Sequence, residues 1–349
     1  MKNIKTENYI IDFETGYKSL SSIVVEKNYS KIFLLVDENT KKHCLDTFTK
    51  KSKLDSILIK INSGEENKNI DSCIKIWKSL IDYKADRKSL LINLGGGVIT
   101  DIGGFSANTF NRGIDFVNIP TTLLSIVDAS VGGKTGINFQ SIKNKIGTFY
   151  DPQLVIIDLQ YLDTLEQRQI RSGYCEIYKH SLISKTNSKF NQLTNSGKIN
   201  FSAEIIINSI KIKNSFVCND KYEKQLRKGL NFGHTLGHAI ETFFMSTSHN
   251  LLHGESIAIG LILESYISHT ICGFEMKIVD KIKNHLLKIF PKIEFNSSSI
   301  ESIIKLMDYD KKNIGEKINF VLLKDIGYLV FDIDVSKSTI LNAFNYYSK

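Results

Sequence analysis

Four histidines, His234, His238, His249 and His253, fall within a span of twenty residues. Two of them stand four apart in Asn231-Phe232-Gly233-His234-Thr235-Leu236-Gly237-His238, a stretch with helical patterning, so they share one helix face. Imidazole pairs at that spacing suit a divalent metal such as Zn²⁺, with a carboxylate from elsewhere completing an open three-ligand site. By spacing alone, His234 and His238 are the joint ligands. Glu176, in Gly173-Tyr174-Cys175-Glu176-Ile177-Tyr178-Lys179, is one candidate carboxylate. Glu176 and Lys179 equally read as an i,i+3 pair on a solvated helix face, and the bare sequence leaves both readings open. A zincin HExxH site is excluded, because Thr235 stands where the glutamate would have to be.

Two glycine-rich segments offer phosphate chemistry. Leu94-Gly95-Gly96-Gly97-Val98-Ile99-Thr100-Asp101 follows an apolar run and opens a helical one. Backbone N–H groups at such a helix start suit a pyrophosphate, although Thr100 breaks the strict dinucleotide fingerprint, and a tight turn without a ligand explains the glycines as well. Ser130-Val131-Gly132-Gly133-Lys134-Thr135 is not a Walker A loop, since Asp128 occupies the first glycine position. Lys134, Lys143 and Asn144 could clamp phosphate or carboxylate oxygens from one loop, or form a solvated lysine loop.

The elements that must position these groups change character along the chain. Apolar β-rich runs at 31–37, 56–61, 89–94, 114–119 and 154–158 alternate with amphipathic segments, which predicts a parallel sheet covered on both faces. Beyond Leu165 the pattern is helical, over 165–186, 201–218, 233–245, 253–271 and 276–289, until a strand pair near 318–323 and 328–332. The expected architecture is an α/β nucleotide-binding domain, 1–160, followed by a mainly helical metal- and substrate-binding domain, 161–349, with the active site in the cleft between them.

The 349 residues, 42% hydrophobic and 23% charged, exclude collagen-like, coiled-coil and largely disordered classes. The net charge of +8 comes from basic residues spread along the chain. A pocket for an anionic metabolite explains the sign; a nucleic-acid partner is not expected, since no basic stripe is interleaved with aromatics. Five scattered cysteines without a CxxC pair argue against a disulfide framework or a cysteine zinc site. No stretch is long and apolar enough to span a bilayer, so a cytoplasmic protein without a membrane partner is the expectation.

Taken together, Gly95–Asp101, Arg112-Gly113, Pro120–Leu124, Asp128–Lys134, Lys143-Asn144, Glu176–Lys179, Asn231–Glu241, His253-Gly254-Glu255 and Asp310-Lys311-Lys312 resemble the 3-dehydroquinate synthase family of sugar-phosphate cyclases. The likeness runs from about Asp37 to Gly327. It implies NAD in the first domain and a divalent metal, zinc or cobalt, in the second. The family's metal ligands fall on Glu176, His234 and His253, which makes His238 a residue near the substrate. NAD contacts fall on Asp37, Glu65, Lys68, Gly97, Asp101, Thr121, Thr122, Lys134, Lys143 and Thr164. Substrate contacts fall on Arg112, Asp128, Lys134, Lys143, Asn144, Lys179, Lys213, Arg227, Asn231, His238 and the Asp310-Lys311-Lys312 segment.

The implied reaction converts 3-deoxy-D-arabino-heptulosonate 7-phosphate to 3-dehydroquinate and phosphate, a step of the shikimate pathway toward chorismate and the aromatic amino acids. Transient oxidation at C5 by NAD acidifies C6, phosphate is eliminated, the ketone is re-reduced, the ring opens and an intramolecular aldol closes the carbocycle. The resemblance also implies a homodimer. Thr100, Cys175, Tyr150, Lys221 and Gln225 depart from the commoner family pattern; the loop 245–252 matches least, and its His249 is expected to be solvent-exposed. The rival readings are a cyclase for another sugar phosphate and a metal- and NAD-dependent polyol dehydrogenase, which would release NADH.

Overall fold

The structure is a computed structural model describing residues 3–13, 16–140, 142–195, 199, 201–245, 247, 250–307 and 318–349. It divides into two compact units, Met1–Ile170 and Arg171–Lys349.

The first unit carries β1 (Asn3–Lys5), β2 (Ile10–Asp12), β3 (Lys31–Val36), β4 (Ile57–Lys60), β5 (Ser89–Gly95), β6 (Asp115–Pro120), β7 (Lys134–Phe139), β8 (Ile142–Phe149) and β9 (Leu154–Ile156). Its helices are α1 (Lys18–Lys27), α2 (Glu38–His43), α3 (Leu45–Ser52), α4 (Ile70–Asp82) and α5 (Gly97–Thr109). Seven strands form one sheet in the order β1-β2-β9-β6-β5-β3-β4, parallel throughout except for the β1–β2 pair. Strand alternation splits the core in two. Phe33, Leu35, Leu91 and Phe116 join Cys73, Ile76 and Leu80 of α4 and Ile99 and Ile102 of α5, while Leu34, Val36, Leu90, Ile92 and Val117 join Leu20 of α1 and Phe48 of α3. The near-continuous apolar strands of the sequence follow from this double coverage.

One expectation fails here. The segment holding Lys134, Lys143 and Asn144 is not an irregular loop but a second, two-stranded antiparallel sheet, β7 with β8. Most of β8 is exposed, so its sequence, Ile142-Lys143-Asn144-Lys145-Ile146-Gly147-Thr148-Phe149, lacks the buried-face alternation that marks a strand.

The second unit contains α6 (Gln167–Ile183, begun in the first), α7 (Asn187–Asn195), α8 (Ala203–Asn219), α9 (His234–Met245), α10 (His253–Cys272), α11 (Met276–Ile289), α12 (Ser297–Met307), β10 (Asn319–Asp325), β11 (Tyr328–Asp334) and α13 (Lys337–Ser348). The expected α/β half followed by a helical half is therefore what forms. Helix α10 is buried along nearly its whole length and packs against α9, α11, α13 and β10. Its apolar residues surround the axis instead of forming a stripe, as a central helix requires. No helix among the described residues is long and apolar enough to cross a membrane.

Candidate active site

Three helices each bring one polar side chain to a common point in the second unit. Glu176 lies in α6, His234 opens α9 and His253 opens α10. Glu176 Oε1 is 3.5 Å from His234 Nε2 and 3.5 Å from His253 Nε2. A tetrahedral ion with ligand bonds of about 2.1 Å separates its ligand atoms by about 3.4 Å, so the grouping fits a divalent metal. The other carboxylate oxygen, Oε2, takes Lys179 Nζ at 2.5 Å, and both side chains are buried. This removes the surface-pair reading of Glu176 and Lys179. The ion pair turns Oε1 toward the imidazoles and offsets part of the desolvation of a buried carboxylate.

The outer nitrogens of both imidazoles are engaged. His234 Nδ1 is 3.1 Å from the Phe232 carbonyl and His253 Nδ1 is 3.3 Å from Glu241 Oε2. Such contacts put the proton on Nδ1 and aim the Nε2 lone pair at a metal. Burial alone would depress His253, but the carboxylates of Glu241 and Glu176 outweigh it and hold the imidazole up at about 9. Sequence reasoning gave Glu241 no role; its position seven residues after His234 on α9 was the available signal.

His238, paired with His234 by spacing, lies one turn along α9, its ring 5.0 Å from that of His234 and 5.8 Å from that of His253. It forms a second potential ligand grouping with Glu241 and His253. Lys179 also donates to the Leu230 carbonyl at 2.7 Å. That ties α6 to the 3₁₀ turn Leu226–Asn231, which carries Arg227 and Asn231. Arg227 is buried and donates to the Lys221 carbonyl, Asn231 Nδ2 donates to Glu223, and Lys213 is buried on α8. Asp310, Lys311, Lys312 and His249 lie outside the described residues.

In the first unit, the residues expected at the nucleotide stand at the carboxyl ends of neighbouring parallel strands, where open α/β sheets bind ligands. Asp37 follows β3, Glu65 and Lys68 follow β4, Gly97 and Asp101 follow β5, and Thr121 and Thr122 follow β6. Asp37 caps α2, accepting from Thr40 N at 2.8 Å. Gly97 opens α5, and a Cβ there would meet only Ala129 at ordinary contact distance. Gly103 and Gly104 instead pack against Asn93 and Thr135, so those two glycines serve helix packing rather than a ligand. Lys68 is buried in an ion pair with Asp101; desolvation would lower it, but Asp101 and Glu65 hold the ammonium charged. Thr164 is exposed at the end of a 3₁₀ turn.

Lys134 begins β7, and Lys143 and Asn144 follow Ile142 at the start of β8. Lys143 Nζ is 3.4 Å from Glu65 Oε1. Asp128 sits in a π-helical turn, Ser125–Ala129, and Arg112 is exposed with φ +65, next to Asn111 with φ +49. Two consecutive left-handed residues other than glycine are strained, a feature that concentrates at functional sites.

Matches to known proteins cover both units. Residues 58–172 match the family model described as 3-dehydroquinate synthase N-terminal, and residues 173–313 match 3-dehydroquinate synthase C-terminal. The chain is 40% identical over 337 residues to a 3-dehydroquinate synthase of Parabacteroides distasonis, covering 94% of each. The chain belongs to the 3-dehydroquinate synthase family. Among solved structures, a 2-deoxy-scyllo-inosose synthase complexed with carbaglucose-6-phosphate, NAD⁺ and Co²⁺ is similar, with TM-score 0.85, 25% identity and 99% of each chain covered. A 2-epi-5-epi-valiolone synthase from Streptomyces hygroscopicus with NAD⁺ and Zn²⁺ bound shares the fold, with TM-score 0.84, 23% identity, and 99% and 98% coverage.

The departures from the 3-dehydroquinate synthase pattern have local explanations. Both Lys221 and Gln225 contribute backbone contacts to the turn carrying Arg227: Lys221 O accepts from Arg227, and Gln225 N donates to Asp220 Oδ2 at 2.7 Å. Thr100 is buried, its hydroxyl turned back to Gly97 O at 3.1 Å. Tyr150 stacks on Phe116 at 5.6 Å. Cys175 is fully buried, and burial pushes its thiol well above the usual range, which makes it packing rather than a nucleophile.

Proposed function

We infer that this chain is a 3-dehydroquinate synthase, converting 3-deoxy-D-arabino-heptulosonate 7-phosphate to 3-dehydroquinate and phosphate with NAD and a divalent metal, zinc or cobalt. The observation that carries the reading is the approach of Glu176 Oε1 to both His234 Nε2 and His253 Nε2, in a chain 40% identical to a named synthase over 94% of each. Support for the cofactors comes from the related cyclases, whose structures hold NAD⁺ with Co²⁺ or Zn²⁺.

Glu176, His234 and His253 are the proposed metal ligands. When bound, the metal supplies a Lewis acid for the hydroxyl being oxidised, and NAD supplies a reversible hydride acceptor. The chain's own residues do the rest by position and charge. Lys179, anchored on the Leu230 carbonyl and Glu176, holds the carboxylate in its orientation. His238, beside both imidazoles, is proposed to contact the substrate.

Arg112, Asp128, Lys134, Lys143, Asn144, Lys179, Lys213, Arg227, Asn231 and the Asp310-Lys311-Lys312 segment are assigned together to the phosphate, carboxylate and hydroxyls of the substrate, with Lys134 and Lys143 also beside the nucleotide. Asp37, Glu65, Lys68, Gly97, Asp101, Thr121, Thr122 and Thr164 are assigned to NAD. Fixed cations hold the phosphate while it leaves, which lowers the barrier without a dedicated strong base. A homodimer in the cytoplasm is part of the same proposal, tested by sedimentation and fractionation.

The deciding assay follows phosphate release from 3-deoxy-D-arabino-heptulosonate 7-phosphate with and without NAD⁺ and a chelator, watching absorbance for NADH. Release that needs both NAD⁺ and metal, with no net NADH, is the expected result. Accumulating NADH would make the protein a dehydrogenase, and no release would point to another sugar phosphate.

A further inference from the structure

We propose that Asn138 is a positioning residue that sets the sugar-phosphate side chains of β8 against the nucleotide turn after β4. The idea rests on the assignment of Glu65 and Lys68 to NAD and of Lys143 and Asn144 to the substrate; Asn138 itself has no assigned role.

Asn138 makes contacts in both directions. Its Nδ2 donates to Glu65 Oε1 at 3.0 Å and lies 3.3 Å from the Glu65 carbonyl. Its Oδ1 accepts the Asn144 backbone N–H at 2.9 Å. Its own backbone N–H donates to the Lys68 carbonyl at 2.8 Å. A single carboxamide therefore holds the 3₁₀ turn Glu65–Asn67 on one side and the start of β8 on the other. The contacts fix the amide orientation, since a flipped group would set oxygen against the Glu65 carboxylate and nitrogen against an N–H.

The groups it holds form a balanced set of charges. Lys68 pairs with Asp101 and donates to Asn144 Oδ1 at 2.6 Å, and Lys143 pairs with Glu65. Two cations and two carboxylates surround a neutral linker. Asn144 is held at φ +49, a left-handed conformation that asparagine tolerates but does not prefer in isolation. The hydrogen bond from its N–H to Asn138 Oδ1 is what retains it there. Without that bond the Asn144 side chain leaves Lys68, and Lys143 loses its register with Glu65. The effect reaches both ligands because the same residue anchors both segments.

Substitutions separate the two directions. Asn138→Ala removes both, whereas Asn138→Asp keeps an oxygen for the Asn144 N–H but sets a second carboxylate against Glu65. KM for NAD⁺, KM for the sugar phosphate, kcat and Tm are measured for each, alongside NAD⁺ titration by calorimetry. Lys68→Ala and Lys143→Ala serve as controls for the two assignments. Asn138→Ala is expected to raise both KM values about tenfold, the effect of one or two lost hydrogen bonds. Asn138→Asp is expected to raise KM for NAD⁺ at least as much while leaving KM for the sugar phosphate near the parent value. A fall in Tm or kcat with both KM values unchanged would make Asn138 merely structural and overturn the proposal. If the lysine controls act as assigned and the Asn138 variants do not, this inference alone fails. If none of the four variants changes a KM, the ligand assignments fail with it.

Discussion

At the scale of single residues, the metal grouping is held by opposing demands on Glu176. Its buried carboxylate is stable only if both oxygens are used, one by Lys179 and one by the imidazoles or a metal between them. A series of variants measures the division of labour through metal content and chelator competition. His253→Ala is expected to lose metal and activity with the fold intact. His238→Ala is expected to keep metal and lose turnover; loss of metal there would restore the His234/His238 pairing that spacing suggests. Glu241→Gln, which keeps the shape but removes the charge facing His253 Nδ1, is expected to weaken metal affinity by about 10- to 100-fold.

At the scale of elements, the position of His253 depends on how closely α10 approaches its neighbours. Gly254, the next residue, lies against the first turns of α6: a Cβ there would stand 2.1 Å from the Ser172 carbonyl oxygen. Its N–H donates to Ser172 Oγ at 3.0 Å. Gly260, two turns on, faces the Gly233 carbonyl in the same way at 2.0 Å. From α10, Glu264 reaches across to accept from Gly233 N and Leu236 N at 2.6 and 2.9 Å, capping α9 where His234 begins. Gly254→Ala must push α10 from α6 because the obstacle is backbone. It is expected to cost about 1–3 kcal/mol of stability and to lower metal content in parallel, read by thermal unfolding and metal analysis. Full metal occupancy in that variant would show that the helix start tolerates the shift.

At the scale of the whole molecule, a buried histidine away from the metal grouping sets an acid limit on stability. His285 of α11 accepts from or donates to Tyr174 at 3.1 Å and stacks on Tyr178 at 4.9 Å. Burial, aided by Lys288 and Lys281, pushes its imidazole down from 6.5 to about 4. The unfolded chain therefore binds the proton first as pH falls. The stabilisation is complete above about pH 6.5 and is lost progressively toward pH 4, amounting to about 3 kcal/mol in all. Denaturant midpoints between pH 7.5 and 4 should fall accordingly, and His285→Phe, which keeps the stacking, should flatten that part of the profile.

The sequence alone determined what local pattern can carry. The five main strands, the long helices at 167–183, 203–219, 234–245, 253–272 and 276–289, and the late strand pair were legible, because a face buried at period two or 3.6 writes itself into residue order. The short β1 and β2, and α7, α12 and α13, were not singled out, being short or set in polar sequence. The β7–β8 pair was misread because its exposed strand has no such face.

The ligand grouping shows the same limit. Spacing could nominate His234 with His238, neighbours on one helix, but it is blind to side chains that meet from three helices. The resemblance named Glu176, His234 and His253; only the packing of α6, α9 and α10 shows Glu176 Oε1 at 3.5 Å from both imidazoles. Glu241 behind His253 and Asn138 between its two segments were decided there as well. Hydrogen bonds between segments distant in the chain depend on where helices and strands come to rest, and no local periodicity encodes that.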